Sequence, residues 1–150
     1  MKNLILIAFA ILLISFKSAD CYRVEKVFAS VDAPEMSSNR VIFGIKQITE
    51  EVLSEKYSIC QDGSPIIVEV ISIEAPTTGI AIGPFTATKK ETIVKIKITK
   101  DGKDYIGEGT AKTTVKSTFI ELKDNNLPFE KTTFASAVKK SIVDAISKMQ

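Results

Sequence analysis

Apolar and polar residues alternate without a break from Ile93 to Thr99: Val94, Ile96 and Ile98 fall on one side, Lys95, Lys97 and Thr99 on the other. Side chains alternate across a strand, so this pattern predicts one buried and one wet face. The run ends in Lys100-Asp101-Gly102-Lys103. Asp-Gly suits a type I′ reversal, which needs positive φ at both central residues. A second Thr-rich, β-prone run follows from Asp104 to Leu122. Together they predict a long hairpin over Glu91–Leu122. One face of the second arm reads Tyr105, Gly107, Gly109, Ala111, small enough for a helix to approach closely.

The other elements follow from the same two periodicities. Tyr22–Ser30 reads as a first strand and Ile66–Ile73 as an inner strand rich in β-branched residues. Val41, Ile45, Ile48 and Val52, with Leu53 beside them, recur at helical spacing. Asp32 with Glu35 resembles a capping box for that helix, and Ser37 or Ser38 is an alternative cap. A last helix is expected from about Pro128 to Lys148, with Phe134, Val138, Ile142, Ala145, Ile146 and Met149 as its apolar stripe. The order β-α-β-β-β-α predicts an α+β fold: a largely antiparallel four-stranded sheet with two helices packed on one face.

One segment does not fit. Ala75–Phe85 is punctuated by Gly and Pro yet carries Ile80, Ile82 and Phe85. It reads as an apolar loop, which either tucks under the sheet or forms a partner-binding surface.

The first twenty residues stand apart from this pattern. Met1-Lys2-Asn3 precedes an apolar run, Leu4–Phe16, of 13 residues, and then the chain turns polar. A membrane span needs ~20 apolar residues. The run has instead the head, core and polar tail of a secretory signal peptide, so residues 1–20 read as a signal and residues 21–150 as one domain. Cys21 lies where a lipoprotein carries its lipid, although Asp20 departs from the usual small residue before it. A lipid anchor would be the one membrane attachment.

Export makes a disulfide between Cys21 and Cys60 persistent. A strand over Tyr22–Val31 would be ~33 Å long and a helix over Ser38–Ser58 ~31 Å. A helix folding back along the strand therefore returns Cys60 to Cys21. Two separate thiols, one buried and one lipidated, are the alternative.

Charge and residue types narrow the chemistry. Lys2 and Lys17 belong to the leader; without these two of 20 basic residues, 18 remain against 18 acidic residues from Asp20 onward. That balance leaves no basic excess for nucleic acid. The chain contains no histidine, which removes Ser-His, Cys-His and His-metal sites. Neither metal nor cofactor is expected. Gly107–Thr114 echoes a phosphate-binding loop but lacks the Gly before Lys112 and sits inside a strand. Glu69 and Glu74, five apart, fall on opposite faces of a strand and read as solvated rather than as a catalytic pair.

The Val41–Leu53 stripe, the Asp101-Gly102 hairpin and the Gly-containing strand followed by the Phe134–Met149 helix carry a resemblance in element order. The chain resembles the amino-terminal domain of TolB and small envelope lipoproteins of that plan, such as activators of penicillin-binding proteins. That resemblance implies a non-enzymatic binding or assembly module of the bacterial envelope with an envelope protein as partner. Ile80, Ile82, Phe85 and a sheet edge are the expected contacts. The alternatives are an exported small-ligand carrier or hydrolase with a pocket between sheet and helices, and a secreted inhibitor.

Overall fold

A computed structural model describes residues 20–32, 36, 38–82, 85–117 and 131–149. The leader, the start expected for the last helix near Pro128 and the end of the second hairpin arm lie outside the described residues. Six strands and two helices are present: β1 Cys21–Ala29, α1 Asn39–Ser54, β2 Ser58–Ile59, β3 Ser64–Glu74, β4 Thr77–Ile82, β5 Phe85–Lys100, β6 Lys103–Ser117 and α2 Lys131–Ser147.

The spine is β5. Along one edge it pairs antiparallel with β6 over its whole length, from Thr86↔Ser117 to Lys100↔Lys103. Along the other edge it pairs with β3 at residues 93–100 and with β4 at residues 85–90. Thus β3 and β4 lie end to end in one row, interrupted at Ala75-Pro76. Pro has no amide to give the ladder, and the Pro76 carbonyl still accepts from the Glu91 amide at 3.0 Å.

The sheet therefore has four main rows, β1, β3 with β4, β5 and β6, and the two-residue β2 bridges outside β1. β1 runs parallel to β3, and the β5 pairings are antiparallel. This confirms an α+β fold with a mostly antiparallel sheet, and corrects the strand number from four to six.

The correction falls on the expected loop. Ile80 and Ile82 are in β4 and Phe85 begins β5, with Ile80 opposite Ala87 and Ile82 opposite Phe85. Gly and Pro read locally as loop punctuation. Here the long β5 offers six consecutive pairing positions, which overrides the local signal.

Both turns and caps follow simple chemistry. Asp101 and Gly102 have φ of 51° and 74°, as the type I′ turn requires. Ser38 caps α1: its side chain accepts from the Val41 amide.

One sheet face and the two helices enclose the core. Tyr22 and Val24 of β1, Ile66, Val68 and Val70 of β3, and Val94, Ile96 and Ile98 of β5 are buried there. They meet Ile45, Val52 and Leu53 of α1 and Ala137, Val138, Ile142 and Ala145 of α2. Fully burying one such aliphatic side chain contributes ~1.5–3 kcal/mol. The buried hydroxyl of Thr49 is satisfied by the Ile45 carbonyl at 2.8 Å. β3 is covered fully on one face only; Ile67 and Ile71 are half-buried on the other.

Candidate functional site

The sheet has a helix-backed body and an arm that runs past it. α2 spans ~25 Å, at 1.5 Å per residue, whereas β6 spans ~50 Å. The helix lies on the turn end of β6. Gly107 and Gly109 sit directly beneath it: a Cβ at Gly107 would run into the Ser141 carbonyl oxygen, and one at Gly109 into the Ala137 carbonyl oxygen. The Ser141 hydroxyl donates to the Gly107 carbonyl at 2.8 Å. Close helix packing, not phosphate binding, accounts for the glycines of the Gly107–Thr114 stretch.

The same helix covers part of the outer edge of β6. Lys148 Nζ donates to the Ile106 carbonyl at 2.8 Å, and Lys140 Nζ to the Thr110 carbonyl at 2.9 Å. The Glu108 amide donates to Asp144 Oδ2 at 3.0 Å. These are backbone groups that β5 cannot reach, because even-numbered residues of β6 point them outward. α2 thereby occupies the positions where another strand would add. Lys148 beside it and the Glu108 amide hold the Asp144 carboxyl below the usual carboxylate range.

The outer sheet face of the body is closed by cross-strand ion pairs. Lys97 meets Glu69 at 2.5 Å and Lys95 meets Glu108 at 3.4 Å; where the arm begins, Lys112 meets Glu91 at 3.2 Å. Glu69 is not the solvated carboxylate expected of it. The hydrogen bond from Lys97, then that from Ser30, lowers its pKa. Glu74 is exposed, as expected.

On the β1 side of the body, the same turn end is tied covalently and by side-chain contacts. Cys21 and Cys60 form a disulfide, their Cα atoms 6.0 Å apart, within the normal span. A lipid on Cys21 would need the same sulfur. Beside it Tyr22 packs edge-on against Tyr57, with ring centroids 5.0 Å apart. Lys100 Nζ donates to the Tyr22 hydroxyl at 2.5 Å, which raises the lysine's pKa. The strand–helix length arithmetic thus located this staple correctly.

In the arm, β4 lines one margin and the far half of β6 the other, with β5 between them. Among the described residues, neither β4 nor the Lys112–Ser117 part of β6 has a strand partner on its outer edge. The predicted contact residues Ile80, Ile82 and Phe85 all belong to this arm, at its hairpin end. The sequence reading expects a sheet edge among the contacts but not which strands form it, since pairing between distant strands leaves no local signature.

Between sheet and helices, the described side chains form the buried core named above. A groove of about 810 Å³ lies outside it, where Ile48 of α1 faces Ala135, Lys139 and Val143 of α2. Lys139 bridges the two helices through Glu51 at 2.6 Å. No group of three or more metal-ligating side chains occurs among the described residues, and no described helix is long and apolar enough to cross a membrane.

No family model matches this chain, and no curated protein does. Among solved structures, a minor lipoprotein from Acinetobacter baumannii is similar at 10% identity and a TM-score of 0.37, covering 87% of each chain. A likeness this loose carries no argument about what the chain does.

Proposed function

We propose that the chain is an exported, non-enzymatic binding or assembly module of the bacterial cell envelope that meets its protein partner with the β4–β5–β6 arm. The observation that carries this reading is the division of the sheet. Its body is closed by two helices, an ion-paired outer face and side chains on the β6 edge, while the arm presents strand margins without partners among the described residues. Strand margins of this kind bind extended segments through main-chain hydrogen bonds. The signal-like leader and the Cys21–Cys60 bridge support export.

The test is crosslinking followed by pull-down from envelope extract, comparing wild type with the Ile82→Ser, Phe85→Ser double variant. The wild type recovers a defined partner that the variant loses, while both keep the same melting temperature. Equal recovery of every partner by both proteins would remove the arm from the reading.

A further inference from the structure

We propose that β4 is the edge through which two copies of this chain pair, antiparallel, into one continuous sheet. The two margins of the arm differ in charge, and that difference selects the occupant. Odd-numbered residues of β5 face β4 and bond to Ile80 and Thr78, so Thr77, Gly79 and Ala81 point their amides and carbonyls outward. Strand β4 reads Thr-Thr-Gly-Ile-Ala-Ile and carries no charge. A two-fold axis at Gly79 sets Thr77 opposite Ala81 of the second copy, Thr78 opposite Ile80, and Gly79 opposite itself. Every outward group of one strand then meets its complement, and the contact closes on itself as a dimer.

The same operation on β6 fails. Its outward residues are Lys112, Thr114 and Lys116. A two-fold axis at Thr114 places Lys112 directly opposite Lys116 twice, and like charges opposed across a strand pair destabilise it. Lysine on a margin is a common guard against unwanted pairing. Net charge opposes association of two copies only weakly, since residues 21–150 carry 18 basic and 17 acidic residues.

The proposal stands apart from the identity of any envelope partner and is tested on pure protein. The processed chain, recovered after export from an expressing bacterium, is sedimented over a concentration series. The expected result is a concentration-dependent species of twice the chain mass. Ala81→Lys and Ala81→Pro reduce it to single chains, because Ala81 uses its amide only outward. Thr114→Pro, which removes an outward amide from β6, leaves it intact. Hydrogen exchange on the wild type needs no variant: the amides of Thr77, Gly79 and Ala81 slow as concentration rises. Single chains at every concentration, or a dimer that survives both Ala81 changes, would overturn the proposal. So would protection of these amides that appears only when envelope extract is added, which assigns the edge to a foreign strand.

Discussion

The body and the arm are made from the same strands, yet the two halves are stabilised differently. In the body, β5 contributes Val94, Ile96 and Ile98 to a core backed by α1 and α2, and its lysines on the other face are ion-paired. In the arm, β5 runs over eight further residues, 85–92, held by its ladders to β4 and β6. The body couples burial, a disulfide and side-chain bonds; among the described residues, the arm is held by its two ladders, with the Lys112–Glu91 ion pair where it meets the body.

The sharpest way to break this contrast is at the disulfide. Replacing both Cys21 and Cys60 by Ser should cost about 4 kcal/mol by the loop-closure estimate, read as a lower urea midpoint. Hydrogen exchange should rise across β1, β2 and α1 and stay level in the arm. An equal rise in both halves would mean that they unfold as one unit.

Next is the helix contact. Gly109→Val forces side-chain atoms into the α2 backbone, which cannot retreat without leaving the core. A loss of about 3 kcal/mol is expected, with exchange rising first at the Glu108 amide once Asp144 no longer accepts from it. A stable variant with an unchanged α2 would refute the close approach.

The smallest effect is on pH. Glu69 and Asp144 both have lowered pKa values when folded. The folded state therefore binds their protons less readily than the unfolded chain does. Their stabilisation is present above the ordinary carboxylate range and is lost as pH falls through the lowered values. Both lie in the body, so mild acid should loosen the body while the arm's exchange stays unchanged. Asp144→Asn should flatten part of that acid limb in a series of thermal melts.

How legible this was in the sequence depends on the range of each interaction. Val94, Ile96 and Ile98 announce their strand by spacing alone, and Asp101-Gly102 announces its turn. The Val41–Leu53 helix could be placed and its start narrowed to Asp32 or to Ser37 and Ser38, of which Ser38 is the cap used. The Cys21–Cys60 bridge emerged from strand and helix lengths. By contrast, β4 was hidden because Pro76, Gly79 and Pro84 mimic a loop, and only the reach of β5 makes strand pairing favourable there. The guarding of β6 by Lys140, Asp144 and Lys148 was equally hidden. On the helix those residues read as an ordinary wet face, and their partners are backbone groups some 30 to 40 residues away.

The parallel partnership of β1 with β3 bears on the order of assembly. β5 is joined to each flanking row by a connection of two residues, so these rows zip from their turns, a local and fast process. β1 must instead wait until more than thirty residues, including α1, have been drawn across the sheet before it can lie beside β3. On the proposed export from the amino terminus, the first segment to emerge would be the last to find its place. An oxidised link to Cys60 would hold it close during that delay.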